Sequence, residues 1–317
     1  MQLPPPGATG EGDDATGRPI TDASVLGHPS AESTHREVNG VELHVVTAGD
    51  PADPLVVLLH GFPEFWYGWH RQVGPLVDAG FRVLVPDQRG YASSGKPDGV
   101  RPYRRRELVR DVVGLVGTED CESAHVVGHD WGGVVAWDLA CRRPDLVERL
   151  GIVNVPHPRA FRRLLPRSPE QLWRSRYVLY VQFPRLPEWA VRRGDFALWV
   201  RTLRDGARPG TFIPTDAERY RAAWRHESAP TAMLNWYRAL PRYPDHPPRE
   251  RVTAPTVILW GEDDPALVPE LARRSLDLCE DGRLERFPRA THWVHHDYPE
   301  RVANLLVEHL GGPRTRR

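Results

Sequence analysis

The residues best placed for chemistry lie in Gly128-His129-Asp130-Trp131-Gly132-Gly133, between the short apolar run Ser123–Val127 and a stretch with helical spacing. A strand-to-helix turn this sharp needs small residues on both sides, because the backbone makes close contacts around a strained central residue. The G-x-S-x-G nucleophile elbow has the same layout, with Asp130 standing here where the serine would be. N–H groups at the start of the helix favour the ionised carboxylate, and an ionised carboxylate is a usable nucleophile. Taken alone, the motif also reads as a turn aspartate capping a helix.

A nucleophile needs a base and a group to orient it. Gly261-Glu262-Asp263-Asp264-Pro265 follows the apolar run Thr256–Trp260, and Ala290-Thr291-His292-Trp293 follows Arg283–Phe287. Both segments come directly after late strands, so their side chains reach the sheet edge that carries Asp130. His292 is the expected base and Asp264 its partner, in the nucleophile–acid–histidine order of α/β hydrolases. His60-Gly61-Phe62-Pro63 follows the buried run Pro54–Leu59 and can supply one oxyanion-hole N–H from Phe62, with Trp131 supplying the other. The alternative for His-Gly-Phe-Pro is a tight turn. His295 and His296, beside Asp297, lack partners at ligand spacing and are expected to be surface histidines; His129 is expected to point away from the cleft. No metal and no organic cofactor is expected.

These side chains must be held by regular elements. Val41–Thr47, Pro54–Leu59, Phe81–Pro86, Ser123–Val127 and Arg149–Val153 read as strands. Phe65–Ala79, Tyr103–Val116 and Trp131–Arg142 read as helices between them. That alternation predicts an α/β fold with a mostly parallel, helix-flanked sheet. From 157 to 248 the chain is dense in Trp, Arg, Tyr and Pro, with helical stretches at Gln171–Val181 and Ala217–His226. Strands return at Thr256–Trp260 and Arg283–Phe287, and a last helix runs over Glu300–Leu310. The expected division is therefore a core of 35–156 and 249–311 interrupted by a helical cap over 157–248. Residues 1–34 and 312–317 are expected to be disordered tails.

The whole chain narrows the choices. Its 317 residues carry 42 Lys and Arg against 42 Asp and Glu, which gives no reason to invoke nucleic acid. Three cysteines without ligand or CxxC spacing read as packing residues in a reducing compartment, hence a cytoplasmic protein. No apolar run is long enough to cross a membrane, so no membrane partner is expected. A homodimer is left open.

Together HGFPEFWYGW (60–69), DQRGYASSGKP (87–97), GHDWGG (128–133), NVPHP (154–158), GEDDPALVP (261–269) and THW (291–293) resemble soluble-type epoxide hydrolases of the α/β-hydrolase fold. The resemblance implies Asp130 as nucleophile, Asp264 as acid and His292 as base. Tyr177–Gln182 (YVLYVQ) and Leu234–Arg238 (LNWYR) resemble the two cap segments that carry ring-opening tyrosines, which assigns those roles to Tyr180 and Tyr237. The implied substrate is a small hydrophobic epoxide, opened to a vicinal diol through an aspartyl ester. For Tyr180 the alternative is plain packing in an aromatic-rich cap. Val181, Arg185 and Thr291 depart from the family pattern. Two other functions remain open at this point: a haloalkane dehalogenase, in which Trp131 would donate to halide, and a non-catalytic ligand receptor.

Overall fold

The computed structural model describes residues 22–312. Of the tails expected at 1–34 and 312–317, residues 1–21 and 313–317 lie outside the described residues. Within the expected N-terminal tail, however, residues 22–34 are ordered. Asp22 caps a short 3-10 turn at Ala23–Leu26, and β1 (Glu32–Val38) begins ahead of the expected core boundary. Its sequence, ESTHREV, hides the strand because β1 is an edge that buries little apolar surface.

β2 (Val41–Ala48), β3 (Leu55–Leu59), β4 (Arg82–Pro86), β5 (Ala124–His129), β6 (Val147–Val153), β7 (Thr256–Gly261) and β8 (Gly282–Phe287) complete one eight-stranded sheet in the order β1-β2-β4-β3-β5-β6-β7-β8. The β1–β2 and β2–β4 pairs are antiparallel and the remaining pairs parallel. Every residue of β3, β5 and β7 is buried, as expected for strands covered on both faces. α1 (His70–Asp78), α2 (Arg105–Gly117) and α3 (Asp130–Arg142) are interleaved with the first strands. The anticipated helix at Phe65–Ala79 is divided, with a 3-10 turn at Trp66–Trp69 leading into α1.

All helices between β6 and β7 belong to one insertion: α4 (Pro158–Leu164), α5 (Pro169–Arg174), α6 (Tyr177–Val181), α7 (Leu186–Arg192), α8 (Ala197–Asp205), α9 (Pro214–Arg225) and α10 (Ala229–Arg242). The helix expected over Gln171–Val181 is broken into α5 and α6, with Ser168 capping α5 and Ser175 closing it. α11 (Glu270–Leu276), α12 (Val294–Asp297) and α13 (Pro299–Leu310) finish the chain, with α13 packed on α1.

Buried polar contacts bind the insertion to the core. Tyr67 Oη donates to Asp216 at 2.8 Å, Trp224 Nε1 to the Pro63 carbonyl at 2.6 Å and Trp236 Nε1 to the Arg89 carbonyl at 3.0 Å. β3 and β5 are neighbours whose onward connections leave in opposite directions, to β4 on one side and β6 on the other. A crevice forms outside the carboxyl ends of strands at such a reversal, and ligands bind there in open α/β sheets. The loop after β3 carries Phe62, and Asp130 follows β5.

Candidate active site

Asp130 has φ +48, a left-handed conformation that costs a non-glycine residue energy and projects its side chain over the sheet edge. The turn closes only because Gly128 and Gly132 lack side chains. A Cβ on Gly128 would lie 2.5 Å from the Gly132 carbonyl oxygen, and one on Gly132 would lie 2.2 Å from that of Leu59. Nothing at either contact can give way, since both are backbone.

Around the carboxylate the expected partners converge. The Phe62 amide donates to Asp130 Oδ1 at 2.9 Å, and His292 Nε2 stands 3.5 Å from Oδ2. Trp131 is in the first turn of α3, where an amide has no helical acceptor. His292 Nδ1 meets Asp264 Oδ2 at 2.7 Å. Asp264 is itself held by Asn154 Nδ2 at 2.6 Å and by the amides of Ala266 and Leu267 at 2.7 and 3.0 Å. Asn154, in the segment NVPHP, has φ +44, and its bond to Asp264 fixes the orientation of that carboxylate.

Electrostatics follow from these contacts. Burial works to raise the Asp130 pKa, but His292, then His129 and the Phe62 amide, outweigh it and hold the carboxyl below its ordinary value. Burial likewise opposes the charge on His292, yet Asp264 and Asp130 push its pKa well above that of a free histidine. Both shifts favour an Asp130 carboxylate beside a charged His292.

Above them lies a cavity of about 1000 Å3, walled by Phe62, Trp131, Trp173, Tyr177, Trp199 and Tyr237 among others. Tyr237 packs edge-on to Trp131 and Phe62, with ring centroids 5.0 and 5.2 Å away. The resemblance assigned the second cap tyrosine to Tyr180, whereas the ring contact with Tyr237 is made by its neighbour on α6. It is Tyr177 whose ring meets Tyr237, at 5.8 Å, and whose hydroxyl interacts with that of Tyr237. Tyr177 presents surface to the cavity while burial raises its pKa, and the nearby Asp130 charge raises it further. Burial raises the Tyr237 pKa well above its usual value, with Tyr177 and Asp130 adding to the effect. Tyr180 lines the same cavity from the next turn of α6. The YVLYV sequence offers two tyrosines three residues apart, near one helical face, and spacing cannot say which turn lies over the nucleophile.

The expected surface histidines are also corrected. His295 and His296 are 0% and 3% exposed, because α12 folds inward beneath the catalytic loop. With His129 they surround the buried carboxylate of Glu64, and burial pushes His295 down to about 4. Glu64, His129 and His295 bring donor atoms within 4.8 Å of one another, a set with the residue types of a metal site. Its carboxylate is, however, already hydrogen-bonded to protein groups on both oxygens. Cys121, Cys141 and Cys279 are free thiols, the last two buried.

A family model described as the alpha/beta hydrolase fold matches residues 54–299. The chain belongs to the α/β-hydrolase family. This α/β hydrolase is 44% identical over 274 residues to the AB hydrolase superfamily protein YfhM of Bacillus subtilis, covering 86% of the chain and 95% of that protein. It is 33% identical to epoxide hydrolase A of Mycobacterium tuberculosis, covering 88% and 97% of the two chains. Among solved structures, an epoxide hydrolase A from Mycobacterium thermoresistibile superimposes with TM-score 0.80 at 31% identity, over 90% of this chain and all (100%) of that one. The likeness to epoxide hydrolases read from the motifs is therefore borne out. No helix among the described residues is long and apolar enough to cross a membrane.

Proposed function

We propose that this α/β hydrolase converts a hydrophobic epoxide and water to a vicinal diol through an ester on Asp130. The observation that carries the reading is the pair of phenols, Tyr177 and Tyr237, gathered over an ionised aspartate. Ring opening makes an alkoxide, and hydroxyl donors stabilise or protonate it as it forms. Asp130 Oδ2 attacks an epoxide carbon from below, the C–O bond of the ring breaks, and a tyrosine delivers its proton to the departing oxygen. Oδ1, already on the Phe62 amide, becomes the ester carbonyl oxygen. The phenolate is reprotonated from water.

Forming the ester removes the negative charge that helped hold the proton on His292. Its pKa falls, it becomes neutral, and it takes a proton from a water that attacks the ester carbonyl carbon. Negative charge develops on Oδ1, where the amides of Phe62 and Trp131 stabilise it. The bond from the Asp130 carbonyl carbon to Oδ2 breaks as the His292 imidazolium gives its proton to Oδ2, the diol leaves carrying Oδ2, and the water oxygen stays in Asp130, whose remaining hydroxyl proton passes to His292 and restores the carboxylate. The segment 157–248 serves as the cap that brings the phenols to the site, and its aromatic walls favour aryl or other bulky apolar epoxides.

A single turnover of an aryl epoxide in 18O-labelled water, at enzyme excess, tests the scheme. Label is expected in Asp130 and not in the diol; label in the diol alone would mean direct attack by water and overturn it. A dehalogenase would instead need a second side-chain N–H at position 62, which Phe62 lacks. Halide release from bromoalkanes without diol formation from epoxides would decide for that reaction.

A further inference from the structure

The cap carries an apolar surface that the proposed reaction leaves without a use. Leu179, Phe183, Leu186 and Trp189, on α6, α7 and the turn between them, are exposed, Leu179 at 71% and Trp189 at 59%. The same two helices are held from their inner side, where Val181, Pro187 and Val191 are buried. Arg238 of α10 donates there to the carbonyls of Val181 and Phe183, at 3.0 and 2.8 Å, and pairs with Glu188. Trp173, Tyr177, Tyr180 and Leu198 are at once exposed and part of the cavity wall, so the cavity opens beside this surface. Large apolar side chains gathered in water mark a surface that something covers.

The charges around it point to the occupant. Residues 172–193 contain Arg174, Arg176, Arg185, Arg192 and Arg193 against one carboxylate, Glu188, in a chain whose formal charges balance. Glu188 is taken by Arg238, and Arg174 is paired with Glu170. Arg176, Arg185, Arg192 and Arg193 are exposed, with no carboxylate at ion-pair distance among the described residues. Two of them lie over the exposed indoles: Arg176 is 4.0 Å from the Trp173 ring centroid and Arg193 is 5.3 Å from that of Trp189. Arg185 has φ +63, a left-handed backbone that glycine adopts without strain, so a cation is kept there at a conformational cost. Indole rings beside guanidinium groups suit the boundary of a bilayer, where the rings meet the acyl chains and the cations meet phosphates. A second copy of the chain fits poorly, because a twofold contact would set these arginines against one another without a free carboxylate between them.

We propose that the outer face of α6 and α7 rests on an anionic lipid surface, with the cavity mouth turned towards the bilayer. The lack of a spanning helix has no bearing on a surface that lies on a membrane. An apolar epoxide dissolved in the lipid would then reach the cavity without crossing water; that consequence rests on the reaction proposed above, whereas the docking does not.

Flotation with phosphatidylcholine vesicles, with and without about 30% phosphatidylglycerol, tests the docking. At low salt the chain is expected to bind the phosphatidylglycerol vesicles at least about tenfold more tightly than phosphatidylcholine alone, and to be released at about 0.5 M salt. Arg185→Gln, Arg192→Gln and Arg193→Gln together should weaken that binding by roughly tenfold or more, and so should Leu179→Ser, Phe183→Ser and Trp189→Ser together. None of these six residues lines the cavity, so both variants should form diol from styrene oxide in solution within about threefold of the unaltered chain. Thermal unfolding checks the fold of each variant independently of activity, and if one set does not fold the other reads the same effect. No binding to phosphatidylglycerol vesicles, equal affinity for the two compositions, or unchanged binding by both folded variants would overturn the proposal. A dimer that the Leu179, Phe183 and Trp189 substitutions dissociate, without lipid binding by the unaltered chain, would make this face a contact between copies and overturn it too. Lipid binding by a chain that forms no diol would refute the proposed reaction and uphold the docking.

Discussion

At the scale of single residues, the proposed reaction divides its work between two charges and two phenols. Asp130→Ala removes the nucleophile, and diol formation should fall by at least about 10^4-fold, to background. His292→Gln should still open the ring but retain the ester, visible as a mass increase on the Asp130 peptide. The tyrosines offer a sharper test, because the resemblance and the geometry name different residues on α6. Tyr177→Phe and Tyr237→Phe should each cost roughly 10^2-fold in kcat/KM, the usual size of a general-acid contribution. Tyr180→Phe should stay within about threefold; the reverse ranking would return the role to Tyr180. A pH experiment belongs here too. In the free enzyme Asp264 and Asp130 together hold the His292 proton on to well above its ordinary pKa. Once Asp130 is esterified only Asp264 does so, and the proton is lost at lower pH. Decay of preformed ester should therefore speed up as pH rises through an apparent pKa below that found for His292 by NMR in the resting enzyme. Decay indifferent to pH would show that His292 is not the base.

At the scale of elements, the elbow depends on β5 and α3 passing within backbone contact of the β3 loop. Gly132→Ala would put a methyl group against the Leu59 carbonyl, with no flexible side chain to absorb it. A loss of about 3 kcal/mol in urea unfolding is expected, large for so small a change. Unchanged stability would mean that the approach of α3 to β3 is looser than described. Asn154 acts at the end of β6 in a different way. Its amide supplies one of the donors to Asp264, and Asn154 also accepts from the Gly261 amide. Asn154→Ala leaves both buried partners short of a hydrogen bond, a cost of about 1–3 kcal/mol, with His292 less firmly held.

At the scale of the whole molecule, the proposed nucleophile, base and oxyanion donor stand at the edge of the sheet, and the proposed acids stand on the helical insertion. Neither part is a complete site. The ties between them are single buried hydrogen bonds such as Tyr67 to Asp216. Tyr67→Phe removes one such donor, and a destabilisation of about 1–3 kcal/mol in thermal or urea unfolding is expected.

Much of this organisation could be read from the chain alone. Asp130, His292 and Asp264 follow strands whose apolar runs and turn glycines are local signals, and local sterics dictate the elbow. The buried strands were legible because both faces are covered and the run of Val, Ile and Leu is unbroken. The edge strand β1 was not, since it buries too little apolar surface to leave a pattern. Tertiary structure alone decided the rest. Which of two tyrosines on α6 faces Asp130 depends on where that short helix sits over the sheet, not on its own spacing. The burial of His295 and His296 depends on Glu64, more than 200 residues away in the chain, because a buried carboxylate must gather donors wherever the fold brings them.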